Sequence, residues 1–134
     1  MTDTAKILVV DDQPSNIKLL RVKLSKEGYD VVEAANGREA LARVVSDAPD
    51  LVLLDVMMPD VDGPATLRAL RRRESAADSP AVFITAKVQA LDMDEYKRLG
   101  VFDVIVKPFD PMELSNRIGQ IWQQYRSDGH DDAG

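Results

Sequence analysis

Lys6-Ile7-Leu8-Val9-Val10-Asp11-Asp12 is a short apolar run that ends in two carboxylates, and Leu51-Val52-Leu53-Leu54-Asp55 has the same form. Both runs are continuously apolar, without the polar alternation of a half-exposed strand. They therefore fit central strands of a parallel sheet, buried on both faces. Three further runs lie along the chain: Asp30-Val31-Val32-Glu33, Ala81-Val82-Phe83-Ile84 and Val104-Ile105-Val106. The run at 30–33 mixes polar and apolar residues, which suits an edge. Helical patterns separate the runs, giving the alternation of βαβ units. Five such units leave no room for an eight-unit barrel, so an open doubly wound sheet is expected.

The helices carry their own punctuation. Pro14 suits a first helical turn, and Ile17, Leu20 and Leu24 then recur on one face before Gly28. Asn36 is the expected N-cap of a second helix carrying Leu41, Val44 and Val45, which stops near Pro49. Pro64 opens a third, with Leu67 and Leu70 inward and Arg71-Arg72-Arg73 toward its end, where cations suit the helix dipole. The fourth, about 91–99, has the weakest apolar stripe and ends at Gly100. The fifth begins with Asp110 as cap and Pro111 behind it, and its stripe is Leu114, Ile118, Ile121, Trp122 and Tyr125. Residues 5–125 thus read as one domain, and 126–134 as a polar tail or the start of a linker.

Composition narrows the class. The chain has 134 residues, 45% hydrophobic and 30% charged, the profile of a globular domain with a core. Its net charge of −6 argues against phosphate-driven binding to nucleic acid. There is no signal-like N-terminus and no apolar stretch of about 18 residues that would span a membrane. Cysteine is absent, which agrees with a cytoplasmic location.

In open α/β sheets, ligands bind beyond the carboxyl ends of the strands where the strand order reverses. With order 2-1-3-4-5 that point lies between the first and third strands, and Asp11, Asp12 and Asp55 converge there. Crowded carboxylates repel one another unless a cation or proton relieves them. All-oxygen ligands favour a hard ion such as Mg²⁺, which takes only one or two carboxylates and leaves another free as a nucleophile. Thr85 and Lys107 end the fourth and fifth strands, where a hydroxyl and an ammonium could bind phosphoryl oxygens. Singly, each of these residues has an ordinary structural reading as a cap, a strand end or a solvated charge.

Taken together, Asp11-Asp12, Asp55-Val56-Met57-Met58-Pro59-Asp60-Val61-Asp62-Gly63, Thr85-Ala86 and Lys107-Pro108-Phe109 resemble the receiver domain of bacterial two-component response regulators. The resemblance covers about residues 5–125, with every motif in order. The flavodoxin-like (βα)₅ fold with order 2-1-3-4-5 is in part what it implies. It further implies that Asp55 accepts a phosphoryl group from a histidine kinase or phosphotransfer protein. Asp12, Asp55 and the backbone carbonyl of Met57 would ligate Mg²⁺, with Asp11 acting through a water. Thr85 would hydrogen-bond a phosphoryl oxygen, and Lys107 would pair with Asp55 or its phosphoryl group. Pro108 resembles the family's cis proline, and Gly63 would permit a tight loop before the third helix. The output would run through contacts with a downstream protein, on the face of the fourth helix, fifth strand and fifth helix, with phosphorylation-dependent dimerisation left open. One position departs: Val104 stands where the family commonly has Tyr or Phe. The expected switch therefore relies on the loop at Thr85-Ala86-Lys87 and on the fourth helix, without a rotating ring on the fifth strand.

Two other classes compete with a signalling switch that turns over no metabolite. An aspartyl-phosphate phosphatase would carry Asp-x-Asp, whereas Asp55 is followed by Val56 and Met57. A binding module not controlled by phosphorylation would not need the set of Asp11, Asp12, Asp55, Thr85 and Lys107. The nine residues after the fifth helix are too few for a helix-turn-helix or a cyclase, so either a stand-alone receiver or a piece of a longer regulator is expected. His130, the single histidine, lies in the polar tail and is read as inert, not as a phosphotransfer site, and the arginine run is read as a solvated helix end. Met57 and Met58 are read as packing or rim residues, and Trp122 as packing the last helix onto the sheet.

Overall fold

The computed structural model describes residues 5–56, 58, 62–72, 79–85, 90–107 and 109–127. The elements alternate strictly: β1 (Lys6–Val10), α1 (Pro14–Lys26), β2 (Asp30–Ala34), α2 (Gly37–Asp47), β3 (Leu51–Asp55), α3 (Gly63–Arg71), β4 (Ala81–Thr85), α4 (Ala90–Arg98), β5 (Val101–Val106) and α5 (Pro111–Tyr125). The strands form one sheet in the order β2-β1-β3-β4-β5, and each adjacent pair is parallel.

The apolar runs are buried on both faces, as their lack of alternation requires. On one side Leu8, Val10, Leu54, Phe83 and Val104 meet Ala40 and Val44 of α2, Leu67 and Leu70 of α3 and Tyr96 of α4. On the other, Ile7, Val9, Leu53, Ile84 and Ile105 meet Leu20 and Leu24 of α1 and Leu114 and Ile118 of α5. Each fully buried Leu or Ile contributes roughly 1.5–3 kcal/mol of transfer free energy, so these layers outweigh any single surface contact.

The caps explain where helices begin. Asn36 Oδ1 accepts from the Glu39 amide at 2.8 Å while Glu39 Oε1 accepts from the Ala35 amide at 3.0 Å, a reciprocal pair in the manner of a capping box. Asp110 Oδ1 accepts from the Met112 amide at 2.9 Å, and Asp62 Oδ1 does the same for Ala65 at 2.9 Å.

The structure departs from the sequence reading in several places. β5 begins at Val101, three residues before the expected 104, and pairs Val82 with Asp103 after a shift in register. Asp103 is tolerated in a strand because Arg117 of α5 holds it through two nitrogens at 2.9 and 3.1 Å. Val45 points to solvent, and Gly37, Ala40 and Val44 form the buried stripe of α2. Arg71 is not a solvated helix end: it donates to the carbonyls of Ser79 at 2.6 Å and Gly100 at 3.2 Å, tying α3 to the starts of β4 and β5. Trp122 is half-buried against the α1/α5 layer and stacks on Tyr125. Of the tail, Arg126 and Ser127 are described, and the Arg126 guanidinium lies 6.0 Å from the centre of the Trp122 ring. Arg73, His130 and the rest of 128–134 lie outside the described residues.

Two substitutions probe this packing. A Cβ added at Gly63 would lie 2.8 Å from the Asp55 carbonyl oxygen and 2.8 Å from Val56 Cα, both backbone atoms that cannot swing away. Gly63→Ala is therefore expected to lower stability by about 1–3 kcal/mol, although Ala is the better helix former by roughly 1 kcal/mol. Equal or higher stability in denaturant unfolding would refute the close approach. Thr66 is fully buried in α3, and its hydroxyl has no hydrogen-bond partner among the described residues. Thr66→Val, which keeps the shape, should raise stability by about 1 kcal/mol. A loss of similar size would mean that the hydroxyl is satisfied.

Candidate functional site

Register builds the site. Val10 lies opposite Leu54 across β1 and β3, so Asp11 and Asp55 follow abreast at the carboxyl ends of the two central strands. Asp55 lies opposite Ile84 of β4, and Thr85 follows Ile84. The Val56 amide donates to the Ile84 carbonyl at 3.0 Å, and the Lys107 amide donates to the Thr85 carbonyl at 2.7 Å. These two bonds hold the ends of β3, β4 and β5 together and place Asp55, Thr85 and Lys107 on one rim.

The carboxylates of Asp11, Asp12 and Asp55 offer oxygens that all lie within 4.8 Å of one another. Asp11 and Asp55 are 2% and 3% exposed, whereas Asp12 is open to solvent. Lys107 Nζ stands between the buried pair, 3.7 Å from Asp11 Oδ2 and 3.6 Å from Asp55 Oδ1. Like charges about 4 Å apart repel by roughly 4 kcal/mol at an effective dielectric near 20. One ammonium against three ionised carboxylates leaves two negative charges, the amount that one divalent cation neutralises. The donor set is all oxygen, so it fits a hard ion such as Mg²⁺.

Asp11 is held from its own loop. Its Oδ1 accepts from the Gln13 amide at 2.9 Å, and Asn16 Nδ2 reaches its Oδ2 at 3.4 Å while also donating to Gln13 Oε1 at 2.8 Å. The first bond is the Asx turn that Asp makes two residues on. Thr85 is 3% exposed at the end of β4. All five predicted side chains thus belong to one rim of the sheet. Met57 and Pro108 lie outside the described residues, as do Ala86 and Lys87. Met58 is buried in the α2/α3/α4 layer, as a packing residue would be.

Supporting residues were missed from sequence. Asn16 and Gln13 brace Asp11, and only the Asp-x-Gln-Pro spacing hints at the Asx turn. Asp62 caps α3, and Gly63, expected to permit a tight loop, also lets that helix approach the backbone of Asp55 and Val56.

A family model for the response regulator receiver domain matches residues 7–119. The chain belongs to that family, the receiver domains of two-component systems. It is 40% identical over 116 residues to the alkaline phosphatase synthesis transcriptional regulatory protein PhoP of Bacillus subtilis, covering 87% of this chain and 48% of that protein. It is 39% identical over 113 residues to the DNA-binding dual master transcriptional regulator RpaA of Synechocystis, covering 84% of this chain and 47% of that one. The chain therefore spans about half the length of the curated relatives it matches. Among solved structures, the Vibrio cholerae chemotaxis protein CheY4 superposes with a TM-score of 0.85 at 32% identity, over 89% of this chain and 99% of that one. Among the described residues, no helix is long and apolar enough to cross a membrane.

Removing the ammonium tests the electrostatics of the rim. Lys107→Met should lower stability by about 1–2 kcal/mol, a value reduced because the lysine is partly exposed. Added Mg²⁺ should recover more stability in this variant than in the parent chain, read as the shift in thermal midpoint. Unchanged stability without the ion would show that the lysine does not offset the carboxylate repulsion.

Proposed function

We propose that this chain is a phosphorylation-dependent signalling switch whose acceptor is Asp55. The observation that carries the reading is the convergence of the Asp11, Asp12 and Asp55 carboxylates at the rim of the sheet, with the Lys107 ammonium against Asp11 and Asp55. A carboxylate oxygen of Asp55 attacks the donor phosphorus. A new O–P bond forms as the donor's P–N bond breaks, and the donor nitrogen leaves with the electron pair.

The chain's own residues prepare that step. Asp11, braced by the Gln13 amide and Asn16, keeps negative charge beside the acceptor, and Lys107 offsets part of it. The Lys107 ammonium and Thr85 hydroxyl suit the equatorial phosphoryl oxygens, where charge must be stabilised in transfer. Asp12 and Asp55, with the Met57 carbonyl, would hold Mg²⁺, and Asp11 would act through a water. When bound, the ion supplies charge neutralisation and orientation of the phosphoryl oxygens.

The donor is read as a histidine kinase or a phosphotransfer protein, and the readout as changed contacts with a downstream protein. The α4/β5/α5 face is the proposed output surface, with phosphorylation-dependent dimerisation as one form of it. Self-catalysed gain and loss of the phosphoryl group is the chemistry proposed, in a cytoplasmic setting. Residues 5–125 are taken as the receiver unit, and 126–134 as a tail or the start of a linker.

Incubation with acetyl phosphate and Mg²⁺ should add a single phosphoryl group, read by intact mass. Asp55→Ala should take up none, and chelation of the metal should stop uptake by the parent chain. Asp12→Ala should weaken Mg²⁺ binding by about tenfold or more. Equal incorporation by Asp55→Ala would refute the acceptor, and full transfer in chelator would remove the metal.

A further inference from the structure

Among the described side chains of α4, few hold the helix to the rest of the molecule. Asp94, Glu95, Lys97 and Arg98 are exposed, and Met93 is only partly buried. Glu95 pairs with Arg68 of α3 at 3.0 Å, but both side chains are about half exposed and such pairs contribute little. Tyr96 is the exception. It is 5% exposed, and its ring meets Phe83 of β4 edge-to-face, with centroids 4.8 Å apart and planes at 85°. A buried aromatic pair of this geometry adds to what apolar burial alone supplies.

Phe83 connects that contact to the site. Ala81 and Phe83 face the α2/α3/α4 layer while Val82 and Ile84 face the other, so strand alternation directs Thr85 to the same side as Phe83. Phe83 also lies opposite Val104 of β5, and Phe83, Tyr96 and Val104 share one core cluster. Val104 is small and stiff at χ1, so it cannot follow a moving neighbour by swinging into new space. The large side chain in this part of the layer comes from the helix instead.

We infer that Tyr96, through its edge-to-face contact with Phe83, is the positioning residue that couples Thr85 at the acceptor site to α4. The inference rests on the reading of Asp55 as phosphoacceptor. A phosphoryl group on Asp55 adds strong acceptor oxygens that draw the Thr85 hydroxyl. The end of β4 then shifts, Phe83 shifts with it, and the Tyr96 ring must follow or lose its contact. Because the ring is anchored on α4 itself, the response is movement of the helix, with no rotamer change on β5. A helix whose described side chains include one buried anchor can take the two arrangements that such a switch needs.

The test uses the full chain with acetyl phosphate and Mg²⁺, with two readouts: phosphoryl content by mass and amide exchange across residues 90–99. In the parent chain, exchange in α4 should change by about fivefold on phosphorylation. Tyr96→Leu keeps an apolar anchor but removes the ring. It should take up the same phosphoryl content and lose most of the α4 response, whereas Val104→Ala should keep it. If Tyr96→Leu already frees α4 before phosphorylation, Phe83→Leu removes the same contact from the sheet side and should show the same loss. A full α4 response in a phosphorylated Tyr96→Leu or Phe83→Leu chain overturns the relay, as does a phosphorylated parent without any α4 response. A parent chain that takes up no phosphoryl group overturns the acceptor reading, and the relay with it.

Discussion

The parallel register between β1 and β3 sets Asp11 abreast of Asp55, and much of the rim follows from that alignment. The buried stretches 7–10 and 51–54 carry no polar side chain, so the charged residues that follow them, Asp11 and Asp55, emerge together at the carboxyl edge. Sheet pairing thereby holds two carboxylates close against their mutual repulsion, and the stability of the two apolar layers sustains the strain. Lys107 is the partial remedy within the protein. It arrives from β5 because the bond from its amide to the Thr85 carbonyl sets where that strand ends.

A second consequence is that the helices around the rim are not equivalent. α1 and α5 bury regular stripes of Leu and Ile against one face, and α2 and α3 cover the other. α3 comes so close to β3 that only a glycine fits at Gly63. Among the described side chains of α4, Tyr96 is the buried one, with Met93 partly buried beside it. Elements with few buried apolar contacts open or shift at low free energy, which is the physical ground for the proposed relay to α4.

The sequence and the structure agree best where one residue type admits one role. Continuous apolar runs became central strands, Asn36 and Asp110 became caps, and Pro14 and Pro64 opened helices. They diverge where a residue's partner is distant in the chain. The fifth run, read as 104–106, leaves out Asp103, because Arg117, fourteen residues on, is what makes it acceptable in β5. Arg71 looked solvated, because its carbonyl acceptors at Ser79 and Gly100 meet only after β4 and α4 pack. Val45 and Val44 are adjacent valines, and the pitch of α2 alone assigns one to the core and the other to solvent.

From the sequence alone came the number and order of the elements, the parallel class of the sheet, and the motif residues Asp11, Asp12, Asp55, Thr85 and Lys107. Local chemistry is sufficient for these, since apolar periodicity, capping and the residue that ends each strand are all short-range properties of the chain. Tertiary structure alone decided that Lys107 reaches Asp11 as well as Asp55, that Asn16 and the Gln13 amide brace Asp11, and that Tyr96 anchors α4 on Phe83. Those are distances between side chains brought together by strand register and helix packing, and no local pattern specifies them.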